Sequence, residues 1–278
     1  MNSTFARGGS QVPGPSGTEA RILVAGDTHG NLEWITTLSK LAARFGCAGV
    51  LQLGDFGFWP DARQARQGVV TLDERWVDGV AERAARFGVW WRVVDGNHDA
   101  HPLVRAAYPG DGDGVRPIRS GVLDWADRGA VWRWCGVRFG ALGGADSSDP
   151  DHRTEGSNWW ATESITEADV QSLAGRAGAA GVDVLACHDA PYAPGRKPGQ
   201  DDPAVAARFE RSAALLRTAC AAVRPRLLLH GHWHMRYTAQ RQEAWGQLRI
   251  EGLASDCERN RFRHPWMVLE MPSLQELR

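Results

Sequence analysis

Five short, largely apolar runs stop at polar turns: Arg21–Ala25, Gly49–Leu53, Val89–Val94, Val182–Cys187 and Leu227–His230. Runs this short and this apolar predict buried strands. Between the first three, Leu32 to Phe45 places Leu32, Ile35, Leu38 and Leu41 at helical spacing, and Asp73 to Phe87 reads as a second helix. Gly46 and Gly88 stop them, as glycine commonly does at a helix C-terminus. Strand, helix, strand, helix, strand is the pattern of parallel crossover units. A ligand site in such a sheet lies outside the carboxyl ends of its strands. The polar turns all fall there.

The middle of the chain changes character. Val122–Trp125, Ala130–Cys135 and Val137–Leu142 are short, closely spaced and alternating, which predicts antiparallel strands with a hairpin turn at Cys135-Gly136. Gly143 to Trp160 is a long polar stretch with Asp146, Asp149, Asp151, His152, Arg153 and Glu155, and loops of that length are often functional. Thr166 to Ala180 predicts a helix with Thr166 as N-cap, and Pro203 to Val223 another with proline in its first turn. The last segments, Arg236–Gln242, Gln247–Leu253 and Trp266–Met271, alternate like antiparallel strands. No internal repeat of fixed period occurs. The expected architecture is α/β, with two packed sheets and helices outside, in one domain over residues 21–278. Residues 1–20, rich in Gly, Pro and Ser, are expected to form a disordered arm.

Composition narrows the class. The chain has 278 residues, 43% hydrophobic and 23% charged, with a formal net charge of -1. That balance gives no global basic field for non-specific nucleic-acid binding. The cysteines, Cys47, Cys135, Cys187, Cys220 and Cys257, are odd in number and form no C-x-x-C motif. Buried free thiols and a reducing, cytoplasmic location are expected. No stretch is apolar enough to span a membrane, and the N-terminus lacks the apolar core of a signal peptide. Of the tryptophans, Trp59, Trp159, Trp160 and Trp233 stand out because they lie in polar loops beside the turns.

The turns carry one kind of chemistry: Gly26-Asp27-Thr28-His29, Gly54-Asp55, Gly96-Asn97-His98-Asp99, His188, and Gly231-His232-Trp233-His234. Carboxylate, carboxamide and imidazole without thiolate suit divalent Mn, Zn, Fe or Ni rather than a structural cysteine-based zinc site. Asp27, His29, Asp55, Asn97, His188, His232 and His234 are more ligands than one tetrahedral ion uses. Two ions about 3.5–4 Å apart, bridged by one carboxylate and a hydroxide, would use them all. Taken singly, Asp27 and Asp55 could be helix N-caps, His188 a core histidine and Asn97 a turn residue. Those readings leave their joint placement at strand ends unexplained.

D-x-H, G-D, G-N-H-D, a lone His and G-H-x-H, in that order from about Ile22 to His234, resemble the calcineurin-like metallophosphoesterases. The resemblance implies a four-layer α-β-β-α sandwich of two mixed sheets flanked by helices. It implies that Asp27, His29 and His234 hold a first metal, that Asn97, His188 and His232 hold a second, and that Asp55 bridges them. It places His98 near the leaving group as general acid or transition-state donor, with Asp99 orienting its imidazole. The Ser/Thr protein phosphatases of that superfamily carry Arg after the bridging Asp and end the third motif in Glu. Here Phe56-Gly57-Phe58-Trp59-Pro60 follows Asp55 and the motif ends in Asp99, which argues against a protein phosphatase.

The expected activity is therefore hydrolysis of phosphate esters by a hydroxide bridging two divalent ions. Lacking a cation after Asp55, and with Trp faces suited to stacking, the chain is expected to prefer phosphodiesters or nucleotide-like substrates. Nucleic acid is also a candidate partner. A phosphomonoesterase is the alternative, and a non-catalytic scaffold the alternative of another class. Arg153, Trp159 and Trp160 are the candidate substrate contacts, and Arg153 threatens the diester expectation if its loop folds over the metals.

Overall fold

In a computed structural model of the chain, residues 7, 10–15, 17–195, 199–258 and 264–277 are described. β1 (Ala20–Ala25), α1 (Leu32–Arg44), β2 (Gly49–Leu53), α2 (Ala62–Ala65), α3 (Glu74–Arg86) and β3 (Trp90–Val94) follow the predicted alternation, with only the short α2 unforeseen. Side-chain caps start the two longer helices: Asn31 accepts from the Trp34 amide and Asp73 from those of Arg75 and Trp76. Next come α4 (His101–Ala107), β4 (Val115–Arg119), β5 (Leu123–Ala126), β6 (Val131–Trp134), β7 (Val137–Leu142) and α5 (Glu167–Ala177). β8 (Val184–Cys187), α6 (Pro203–Val223), β9 (Leu227–His230), β10 (Tyr237–Glu243), β11 (Gly246–Gly252), β12 (Met267–Met271) and β13 (Gln275–Glu276) complete the chain.

One sheet has the order β13-β12-β1-β2-β3-β5-β4 and the other β10-β11-β9-β8-β7-β6. Ile22, Val24, Leu51 and Leu53 face Phe139, Ala186 and Leu229 between the sheets. Their neighbours Leu23 and Val50 turn to Ile35 and Val77 of α1 and α3. Leu185 and Leu228 turn to Leu173 and Leu216 of α5 and α6. Because both faces of each sheet are covered, alternate positions are all apolar, which is why the strands read as continuous apolar runs. The result is the four-layer α-β-β-α sandwich.

Two strands differ from expectation. β5 pairs in parallel with β3, and β11 in parallel with β9, rather than only antiparallel with their hairpin partners. β4 was hidden by its two arginines and Pro117, which it tolerates because it lies at the sheet edge. With these assignments β1, β2, β3 and β5 are parallel in one sheet, and β7, β8, β9 and β11 in the other.

The expected disordered arm needs a correction at residues 10–15. Val12 is buried, its amide donates to Asp124 Oδ2 at 2.9 Å, and Gln11 Oε1 accepts from Arg92 Nη2 at 3.2 Å. This segment covers the buried Arg92–Asp124 ion pair (2.7 Å), a pair that costs much to leave half-satisfied. Residues 1–6, 8, 9 and 16 of the expected arm lie outside the described residues. Deleting residues 1–15 is expected to lower the melting temperature, since Val12 alone contributes about 1.5–3 kcal/mol on burial. An unchanged thermal denaturation curve would return these residues to a dispensable arm. Cys47, Cys187 and Cys220 are buried free thiols, Cys135 is a half-buried one, and Cys257 is exposed. Among the described residues no helix is long and apolar enough to cross a membrane.

Candidate metal centre at the strand ends

The turns after β1, β2, β3, β8 and β9 meet at one edge of the sandwich. Asp27, His29 and His234 bring ligand atoms within 4.8 Å of one another, and so do Asp55, His188 and His232. Asp55 stands between the groups: Oδ1 is 3.4 Å from His188 Nε2 and Oδ2 is 3.9 Å from His29 Nε2. Asn97 Oδ1 lies 3.0 Å from His188 Nε2. All seven residues singled out from sequence are thus gathered.

The backbone is bent to achieve this. His29, Asp55, His232 and His234 have φ of 44°, 50°, 60° and 51°. Non-glycine residues in the left-handed region cost about 1–3 kcal/mol each and concentrate at functional sites. Gly54 (φ 89°) is required twice over, because a Cβ there would sit 2.2 Å from His188 Nδ1.

The donor set fits cations. His188 Nδ1 lies 2.7 Å from the Leu53 carbonyl oxygen, which can only accept. Nδ1 therefore carries a hydrogen, and Nε2, turned to Asn97 Oδ1 and Asp55 Oδ1, would offer its lone pair once a cation takes the place of its proton. His29 Nδ1 likewise faces Asp256 Oδ1 at 2.9 Å, which turns Nε2 toward Asp55. Among the described residues, the ion-pair partners of buried Asp27 and Asp55 are all histidines. Burial by itself would depress the imidazoles. Instead the Asp55 and Asp27 carboxylates lift His188 to about 10, while the Asp256 hydrogen bond and the same two carboxylates lift His29 to about 9. Burial would also raise Asp55, yet the surrounding imidazoles, His188 foremost, hold it well below the carboxylate range. The cluster is built to attract positive charge, and divalent ions suit it.

A cleft of about 320 Å³ opens onto the cluster, lined in part by Asp55, Asn97, His98, Arg153, His232 and His234. His98 Nε2 is 3.9 Å from Asp55 Oδ2, and His98 Nδ1 is 2.7 Å from Arg153 Nη1. A guanidinium only donates, so Nδ1 accepts and the ring hydrogen sits on Nε2, toward the cluster. Burial and the Arg153 charge hold the His98 pKa down against the pull of Asp55. Asp149 in turn accepts from Arg153 Nε at 2.8 Å.

The expectation that Asp99 orients His98 is corrected. Asp99 accepts from the backbone amides of Phe56, Gly57, Phe58 and Gly96 at 2.9–3.2 Å, which pins the loop behind Asp55. Burial and the neighbouring Asp55 charge push its carboxyl up to about 7, against those four bonds. The expected contact role of Trp160 is corrected too, because the ring is buried in the core, edge-on to His101 of α4. Trp159 is half-buried and does not line the cleft. Trp233 is buried with Nε1 donating to Asp189, while Trp59 is 41% exposed and donates to the His98 carbonyl.

Sequence reasoning missed Asp256. It follows β11, whose parallel pairing with β9 brings the loop to the same edge, and Asn31 Nδ2 also donates to it at 3.0 Å. The signal was a strand followed by a polar turn, hidden because β11 was expected to be only a hairpin arm. Ser147 and Glu163 were missed as well.

The sequence model of one family, calcineurin-like phosphoesterase, matches residues 20–236. No curated protein sequence matches the chain. Among solved structures, TT1561 of Thermus thermophilus is 14% identical over 94% of this chain and 98% of its own, with a TM-score of 0.52. A dimetal phosphatase from Danio rerio is 12% identical over 85% of this chain and 87% of its own, also with a TM-score of 0.52. At such identities the likeness concerns the fold.

Proposed function

The chain belongs to the calcineurin-like phosphoesterase family, and on that premise we propose that it hydrolyses phosphate esters with two divalent metal ions. The observation that carries this reading is the paired cluster, with Asp27, His29 and His234 on one side, His188 and His232 on the other and Asp55 between. Asp27, His29 and His234 would hold one ion, Asn97, His188 and His232 the other, and Asp55 both. When bound, such a pair supplies Lewis-acid polarisation of phosphoryl oxygens and a nucleophile at neutral pH.

The chain's own residues do the rest. Asp256 and the Leu53 carbonyl fix the tautomers of His29 and His188, so that each presents Nε2. Asp99 holds the turn that carries Asp55. His98 presents Nε2–H to the cleft and donates to the oxygen that gains charge as the ester bond breaks. Four non-glycine residues held in the left-handed region at the cluster support catalysis over a scaffold that only keeps the fold.

Within this reading the geometry favours monoesters over the diesters expected from sequence. That expectation rested on a missing cation and on exposed Trp faces. Arg153 brings a guanidinium to the cleft, and of the four tryptophans only Trp59 is exposed. A monoester carries one more negative charge than a diester, and hydrogen bonds to charged groups are worth about 1.5–3 kcal/mol. Arg153→Ala is therefore expected to lower kcat/KM for an aryl phosphomonoester by about 10- to 10²-fold and for the matched diester by less. Hydrolysis of both esters by the parent chain and the variant checks this. A diester preference untouched by the substitution would restore the diester reading.

A further inference from the structure

We infer that Glu163 and Ser147 are positioning residues that decide which end of the Asn97 amide faces the cluster, an inference that rests on the two-metal reading. Asn97 Nδ2 donates to Ser147 Oγ at 3.0 Å, and Ser147 Oγ donates to Glu163 Oε2 at 2.6 Å. The Ser147 amide donates to Glu163 Oε1 at 2.7 Å. All three side chains are buried.

The direction of the relay follows from what each group can do. A carboxylate accepts only. Ser147 must therefore spend its single hydroxyl hydrogen on Glu163, and its oxygen can then only accept from Asn97. Nδ2 is the one donor atom on that side chain, so Oδ1 points the other way, to the space shared with His188 Nε2 and Asp55 Oδ1. With the amide reversed, Oδ1 would face the lone pairs of Ser147, and Nδ2, which has no lone pair to give, would face the metal position. Each Glu163 oxygen faces a Ser147 donor, the amide on one and the hydroxyl on the other, an arrangement that suits a carboxylate. Burial and the Asp146 charge raise its pKa, and the bonds from Ser147 act against that.

The far end of the relay is locked to the near end. Arg128 donates to the carbonyls of Thr162, Glu163 and Ser164 at 2.7–3.1 Å, and its Nε donates to Asp95 at 2.8 Å. Asp95 lies two residues before Asn97. A ring of contacts thus runs from Asp95 through Arg128, Glu163 and Ser147 back to Asn97. Groups behind a ligand typically change metal affinity by about 10–100-fold when removed.

The test is a calorimetric Mn²⁺ titration of the chelator-stripped full chain, beside Glu163→Gln and Ser147→Ala. The parent chain is expected to show two binding events. Gln can donate to Ser147 and so reverse the relay, and Ala leaves Asn97 Nδ2 without its acceptor. Each variant should weaken one event by about 10–100-fold and leave the other unchanged. If only one variant folds, it carries the test alone. Two events of parental affinity in the variants would overturn the relay, and so would equal weakening of both, which marks a general structural defect. A parent chain without two events would overturn the two-metal reading and the relay with it.

Discussion

Asp55→Asn is expected to reduce phosphoester hydrolysis by about 10³-fold and to empty both metal positions together. Asp55 is buried, and its two oxygens face His188 on one side and His29 on the other. The amide keeps the shape, removes the charge and turns one lone-pair oxygen into a donor. Lewis-acid stabilisation is worth several kcal/mol, and each 1.36 kcal/mol is a factor of ten, so about three decades are at stake. Metal analysis and hydrolysis of an aryl phosphate by the same preparation give the answer. A variant that keeps both ions removes Asp55 from the shared position.

His98→Ala is expected to lower kcat by about 10²–10⁴-fold while metal content stays at the parental level. The ring is held from behind by Arg153, and its Nε2 faces Asp55 Oδ2 at 3.9 Å. It lines the cleft without being one of the proposed ligands. The defect should be larger for phenyl phosphate than for nitrophenyl phosphate, whose leaving group needs little help. Equal defects would leave His98 an electrostatic donor to the phosphoryl oxygens rather than a partner of the leaving group. Loss of metal along with kcat would contradict its placement outside the ligand set.

The candidate ligands were legible because each follows an apolar run. A strand buried on both faces announces itself in sequence, and the first polar residues beyond it fall at the site. What lay out of reach depends on side-chain direction and long-range pairing. Asp99 sits beside His98 in the chain, but its carboxyl turns beneath the loop to the amides of Phe56, Gly57 and Phe58. Trp160 follows a polar loop, yet its ring enters the core. Asp256 and Glu163 act through partners 227 and 16 residues away, separations that no local pattern encodes. β4 was masked by Arg116, Pro117 and Arg119, whose polar groups are served at a sheet edge by Asp127 and Glu74. Val12 was masked because one apolar residue among Gly, Pro and Ser carries no periodicity.

The central claim is that bound metal does the chemistry, and metal content measured alongside hydrolysis tests it most directly. The full chain purified without chelator is expected to hold about two divalent ions, to lose hydrolysis of aryl phosphates when stripped, and to regain it with Mn²⁺ or a similar ion. Undiminished hydrolysis by thoroughly stripped protein would contradict the account.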